Sequence, residues 1–248
     1  MTPEKLVEEL KQTCPAGLKS VILYGSAAAG DHSGKQSDYN ILVVTEDLGI
    51  GTLNAISKTA SAWAKAGNPA PLLFTEERLA QATDVFPIEL LDIRECHKVL
   101  HGEDLVEGLE IDTKNLRLEI EHELRGKLIR LRQSYLLTQS KSKAVADLMT
   151  QSLSTFLVLF RASLRLFDDQ VPQKKFDALE ALATHLEFDV SVFKTVQSLK
   201  DGAKKTKDVA VEELFNNYLK TIECVIDAVD AYINKGAIRS ADDNLQSK

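Results

Sequence analysis

The sequence predicts an α+β protein, a small sheet-based N-terminal domain followed by an all-helical bundle. Three observations carry this. Short apolar runs bounded by glycine, proline and polar clusters fill the chain up to about Gly108, the pattern of strands between turns. Beyond that point only Gly126, Gly202 and Pro172 interrupt the chain before Gly236. There the apolar residues also change to spacings of three and four, the period of one helix face. The domains are therefore drawn at residues 1–108 and 109–236, with 237–248 as a polar, flexible tail.

Thr2-Pro3-Glu4 opens a first helix: a capping hydroxyl, then proline where no N–H is needed, then an acid near the positive helix end. Leu6, Val7 and Leu10 form its apolar stripe, and Cys14-Pro15-Ala16-Gly17 ends it. Val21 to Tyr24 is an apolar strand, and Asp38 to Val44 is a second. Leu53, Ile56, Ala60 and Trp63 recur at helical spacing over residues 51–66, before Gly67-Asn68-Pro69 stops the helix. Pro71 to Phe74 reads as a short buried strand, and Thr75 caps another helix. Phe86 to Ile93 is expected to be the next strand, and Lys98 to Asp104 a short closing strand with a turn at Gly102.

In the second half, Leu116, Ile120, Leu124, Leu128, Leu131 and Tyr135 mark one face of a long helix. Val145, Leu148, Met149, Phe156, Phe160, Leu164 and Phe167 mark the next. Shorter helices are expected at 174–188 and 190–199. Leu214, Tyr218, Ile222, Val225, Val229 and Ile233 lie on a last long one. Short connections between long amphipathic helices predict an antiparallel bundle.

The chemistry is concentrated between Leu23 and Val44. The first strand turns sharply at Gly25-Ser26, mostly small or polar residues follow, and the second strand carries Asp38 and Asn40 two apart, hence on one face. A glycine at such a turn lets backbone approach a ligand, and free N–H groups beyond it suit phosphate.

This stretch resembles the signature of the DNA polymerase beta-like nucleotidyltransferase superfamily: hydrophobic strand, Gly-Ser, about ten residues, then acid-hydrophobic-acid on the next strand. The resemblance implies a small mixed sheet, with Gly25 and Ser26 as the phosphate-holding turn and Asp38 as the first metal carboxylate. Asn40 stands where the second carboxylate belongs, and Ala27-Ala28-Ala29 replaces the arginine that many relatives carry after Gly-Ser. The family draws a third carboxylate from a later strand. Within Phe86 to Ile93 the candidates are Glu89 and Asp92, and Glu89 fits the family's strand pattern better. Asp38, Asn40 and Glu89 are thus the expected catalytic and metal-binding set. By the same resemblance the cofactor is Mg²⁺, a hard ion that prefers carboxylate and water oxygens, and the substrate a nucleoside triphosphate. Lys98 to Asp104, KVLHGED, also resembles a phrase that precedes the helical domain of relatives.

Composition narrows the rest. A formal net charge of −7 disfavours nucleic-acid backbone as a partner. The three cysteines are widely spaced and fit neither a zinc site nor a disulfide framework, which suits a reducing, cytoplasmic setting. No apolar run is long enough to span a membrane, so no membrane partner is expected. Arg117 and His122 match a spacing used for RNA cleavage by helical HEPN proteins. Five residues apart they lie about 140° around a helix from each other, and a solvated helix face is the better reading. His32, His97, His101 and His185 show no ligand spacing. The leading expectation is transfer of a nucleoside monophosphate from a triphosphate, with Mg²⁺, to a hydroxyl of an unidentified acceptor. The alternative is a catalytically inactive nucleotide-binding or regulatory module on the same fold. A homodimer is compatible with either.

Overall fold

The computed structural model describes residues 1–14, 17–28, 38–111 and 115–232, the side chain of Ser26 excepted. Helix α1, Pro3–Thr13, starts as its sequence directs, with the Thr2 hydroxyl accepting from the Lys5 N–H at 3.3 Å. Strand β1, Leu18–Tyr24, runs into a single 3₁₀ turn at Gly25–Ala27, and β2, Asn40–Thr45, returns beside it. Helix α2, Ile50–Lys65, precedes β3, Leu72–Thr75. Thr75 then caps α3, Glu76–Gln81, accepting from the Arg78 N–H at 3.2 Å. Helix α4, Pro87–Glu95, and strand β4, His97–Gly102, complete the sheet-bearing part.

The sheet order is β3-β2-β1-β4. Strand β1 pairs antiparallel with both β2 and β4, whereas β2 and β3 are parallel, so the sheet is mixed. Alternation along the two central strands divides the core. Val21, Leu23, Ile41 and Val43 pack with Leu6, Leu10, Ile56 and Trp63 of α1 and α2. Ile22, Leu42 and Val44 pack instead with Leu79, Leu90 and Ile93 of α3 and α4. Both faces are covered, which is why β1 and β2 read as continuous apolar runs.

One expectation fails here. Phe86 to Ile93 is not a strand, because Pro87–Glu95 is helical. Proline at the first helical position is pre-organised for a helix. Leu90 and Leu91 are adjacent and both buried, which breaks the alternation of a half-buried strand, while Ile88 with Leu91 and Leu90 with Ile93 keep a helical spacing of three. The strand beside β1 is supplied instead by His97–Gly102, where the closing strand was expected.

Gly102 fixes that strand's approach. Its φ is +79°, and a Cβ there would lie 1.9 Å from the carbonyl oxygen of Lys19 on the neighbouring strand. Ser20, opposite Gly102, donates from its buried hydroxyl to the carbonyl of Glu103 at 2.7 Å.

The chain divides into two compact units, Met1–Asn115 and Leu116–Lys248. The second contains α5, Leu116–Leu137; α6, Ser142–Leu164; α7, Lys175–Leu186; α8, Ser191–Lys200; and α9, Val211–Ala231. All the named apolar positions of α5 are buried except Tyr135, which stacks on Phe215 at 4.6 Å. Phe156, Phe160, Phe193 and Tyr218 form the aromatic centre, with Phe193 4.8 Å from Tyr218. Burial pushes the Tyr218 phenol up, and its hydroxyl lies 3.2 Å from that of Ser152. Ile233 and the expected tail lie outside the described residues. Among the described residues no helix is long and apolar enough to cross a membrane, and Cys14, Cys96 and Cys224 are thiols outside any disulfide.

Candidate functional site at the Gly25 turn

The site sits where β1 ends, β2 begins and β4 begins. Tyr24 is in register with Asn40 on one side and His97 on the other. Gly25 follows with φ +77°, a left-handed conformation that glycine adopts without a Cβ penalty. Its N–H donates to the Cys96 carbonyl at 3.1 Å, and the Cys96 thiol donates to the Gly25 carbonyl at 3.4 Å. Among the described residues, a Cβ on Gly25 would meet the Asn40 amide nitrogen, at 3.4 Å.

Asp38 is exposed and lies just ahead of β2, two residues before Asn40. The entry into β2 is held by the segment that stops α2. Asn68 accepts from the Tyr39 N–H at 3.1 Å, and the Trp63 indole donates to the Pro69 carbonyl at 2.9 Å. Sequence reading treats Gly67-Asn68-Pro69 as a helix stop alone, whereas Asn68 also positions the Asp38 segment. His32 falls outside the described residues.

Glu89 is exposed, in the first turn of α4, on the sheet face that Tyr24 and Ile22 also line. Burial, and then the charge of Glu89, push the Tyr24 phenol up to about 12. Asn40 shares the parity of Leu42 and Val44, so it points to the same face. Asp92, the other acidic candidate, is half-buried on the same helix.

Comparison with known proteins finds a likeness in fold. No protein-family model matches the chain, and no curated protein sequence is significantly similar to it. Among solved structures, spectinomycin adenyltransferase AAD(9) from Enterococcus faecialis, determined with ATP and spectinomycin, is similar over 90% of this chain and 99% of that one. The TM-score is 0.56 and the sequence identity 14%. The chain has the polymerase beta-like nucleotidyltransferase fold.

The nucleotidyltransferase fold implies Mg²⁺, and among the described residues the donor set does not fit two such ions. Asn40 is neutral, and the strands that flank the central pair carry no acid: β3 reads Leu-Leu-Phe-Thr and β4 reads His-Lys-Val-Leu-His-Gly. Among the described residues no three His, Cys, Asp or Glu side chains come together as a metal site. An amide oxygen can contact a hard cation but adds no charge to hold a second.

What β4 does carry is His97. Its Nδ1 lies 3.0 Å from the Arg94 carbonyl and its Nε2 lies 2.9 Å from a carboxylate oxygen of Asp104. Both partners are acceptors, so both ring nitrogens donate and the imidazole is cationic when both bonds are made. Burial pulls the His97 imidazolium down, but the hydrogen bond and charge of Asp104, with the Arg94 and Ile93 carbonyls, leave it above its ordinary value. Burial pushes Asp104 up, and the His97 bond with the N–H groups of Glu107 and Val106 outweighs it, so this carboxyl titrates low. The same carboxylate accepts from the Val106 and Glu107 N–H groups, each at 3.0 Å. The phrase KVLHGED is thus a structural clasp: Gly102 for close strand approach, and Asp104 to tie the following turn back to the start of β4. Sequence reading singled out the phrase without this reason.

A pH dependence follows. The stabilisation from His97 is fully present below its ordinary value of 6.5 and is lost as pH rises through its higher folded value. That from Asp104 is present above 3.8 and is lost as pH falls through its lower folded value. Urea midpoints of the N-terminal unit are expected to fall as pH rises above the ordinary value of 6.5 and through the higher folded value of His97. Asp104→Asn, which keeps an acceptor for the turn but removes the charge, should flatten that fall. An unchanged slope in Asp104→Asn would show that the pair contributes nothing.

In the helical unit, Arg117 is a brace and not merely a solvated residue. It donates to Glu121 at 2.9 Å and to the Val229 and Asp230 carbonyls at 3.4 and 3.3 Å, capping the end of α9. His122 is exposed, and the two residues are not brought together as a cleavage pair.

Proposed function

We propose that this protein binds a nucleoside triphosphate at the Gly25-Ser26 turn and works as a nucleotide-responsive module that has given up two-metal transfer. The observation that carries this is the acid-poor sheet, with Asn40 at the start of β2 and no carboxylate on β3 or β4. Binding is supported by the left-handed Gly25 turn, where among the described residues a Cβ would meet the Asn40 amide alone. It is also supported by the likeness to an adenyltransferase whose structure was determined with ATP.

The competing reading is transfer of a nucleoside monophosphate to a hydroxyl on a small molecule or protein, with Mg²⁺ held by Asp38, Asn40 and Glu89. It draws on the position of Glu89, whose charge reaches Tyr24 on the face that Asn40 shares.

Calorimetric titration with ATP, with and without Mg²⁺, separates the two. The module reading expects binding that Mg²⁺ changes by less than about tenfold, roughly 1.4 kcal/mol. Gly25→Val should abolish binding in a folded protein, because it places a β-branched side chain in a left-handed conformation against the phosphate's approach. Labelled nucleotide transferred to any hydroxyl acceptor would overturn the module reading in favour of the enzyme. Full affinity in folded Gly25→Val would remove the turn from the site.

A further inference from the structure

Two hydrogen bonds tie Gly25 to Cys96: the Cys96 carbonyl accepts the Gly25 N–H at 3.1 Å, and the Cys96 thiol donates to the Gly25 carbonyl at 3.4 Å. Cys96 is also the C-cap of α4, its own N–H donating to the Asp92 carbonyl at 3.2 Å. The next residue is His97, whose Nδ1 reaches back to the Arg94 carbonyl at 3.0 Å. That contact closes a small loop of backbone, Arg94 to His97, with Cys96 inside it. The residue that grips the turn is thus held in place by one imidazole.

This hold depends on a proton. Nδ1 faces the Arg94 carbonyl and Nε2 faces the Asp104 carboxylate, so each ring nitrogen needs a hydrogen to make its bond. A neutral imidazole carries one hydrogen for these two acceptors. Asp104 is charged and therefore the stronger acceptor, so the hydrogen stays on Nε2. The bond lost is the one to Arg94, which leaves an Nδ1 lone pair against a carbonyl oxygen and opens the loop around Cys96. The charges around the ring do not oppose this order. On β1, Tyr24 is directly across from His97, and its phenol, pushed up to about 12, stays neutral while an imidazole titrates. On α4, the Arg94 guanidinium donates to the Leu109 carbonyl at 3.0 Å, and the charge of Glu89 acts on Tyr24. Lys98, next on β4, alternates to the other sheet face, where its charge acts on Glu4 of α1. Asp104, in the turn after β4, supplies the charge that acts on the ring.

We propose that His97 is a proton-operated positioning residue for the Gly25 turn: protonated, it fixes Cys96 and keeps the turn ready for phosphate, and on losing the proton it releases the turn and lowers nucleotide affinity. This rests on the nucleotide reading of the turn and names how that site is regulated. Charge acts in the same direction, because the His97–Asp104 pair passes from neutral to net negative near the site of a polyanion. Linkage is reciprocal, so a proton that favours nucleotide is itself favoured by nucleotide, and binding takes up protons.

Calorimetric titration of the full-length protein with ATP, from below the ordinary imidazole value of 6.5 to well above it, tests the proposal. Affinity is expected to fall by at least about fivefold as pH rises through the folded value of His97. His97→Gln, whose amide hydrogen-bonds but does not titrate, should remove that fall, and its profile supplies the ionisation of ATP itself for subtraction. Asp104→Asn takes away the charge that raises the imidazole, so the midpoint should move to lower pH, a shift that a merely structural role would not give. In the protein without nucleotide, the Gly25 amide resonance should titrate with the same midpoint as the His97 ring protons. An ATP profile that is the same in the parent and in His97→Gln overturns the proposal. So does a Gly25 amide that ignores the titration of His97. Absence of ATP binding at any pH overturns the nucleotide reading and the regulation built on it, while the amide titration still decides whether His97 holds the turn.

Discussion

Gly102→Ala is expected to destabilise the N-terminal unit by about 2–5 kcal/mol, combining the left-handed penalty with the cost of forcing two strands apart. The clash is between backbone and backbone: the new Cβ would stand 1.9 Å from the Lys19 carbonyl oxygen and 3.0 Å from the Ser20 Cα. No rotamer change can relieve it. Strand β4 must move, and the Ser20 hydroxyl then loses its bond to Glu103. Because a domain's whole stability is only about 5–15 kcal/mol, the change should leave a substantial unfolded fraction. The chain's single tryptophan, Trp63, is fully buried in this unit, so its fluorescence during urea unfolding reports the loss directly. A midpoint within experimental error of the parent's would mean that β4 does not approach β1 as described.

On the module reading, Asn40→Asp is expected to raise the Mg²⁺ dependence of nucleotide binding without creating a transferase. The change places a second carboxylate at the start of β2, two residues after Asp38, and hard cations prefer carboxylate oxygens. The gain should be on the order of 1–3 kcal/mol, the scale for a hydrogen bond to a charged group applied to a metal ligand. Transfer should stay absent because β3 and β4 still carry no acid. Titration of Mg²⁺ with ATP, beside an assay for labelled adenylate on an acceptor, reads both outcomes. Nucleotide transfer by Asn40→Asp would show that Glu89 on α4 does serve as the third carboxylate. A lower melting temperature with no response to metal would mean that the new charge is buried among neighbouring side chains, and that the turn is no nucleotide site.

Much of this protein is legible in its sequence where local physics dominates. Thr2-Pro3-Glu4 and Thr75 predict helix starts because a capping hydroxyl serves N–H groups only a few residues away. The apolar positions of α5 and α9 predict their buried faces because a helix repeats on a fixed period. Gly25-Ser26 between two apolar runs predicts a sharp turn, and the chain turns there with Gly25 at φ +77°.

Tertiary structure decided the rest. Phe86 to Ile93 is apolar enough for a strand or a buried helix, and burial on several sides erases the periodicity that tells them apart. Which run joins the sheet beside β1 depended on the close approach at Gly102, a contact between residues far apart in the chain. The acid-poor character of the sheet is likewise invisible until one knows which segments are its strands. Glu89 looked like a strand carboxylate and is a helix residue that shares a face with Asn40 only because α4 packs there. His97 and Asp104 carry no recognisable spacing; their pairing exists because β4 and the turn after it fold back on each other, bringing two acceptors to one imidazole.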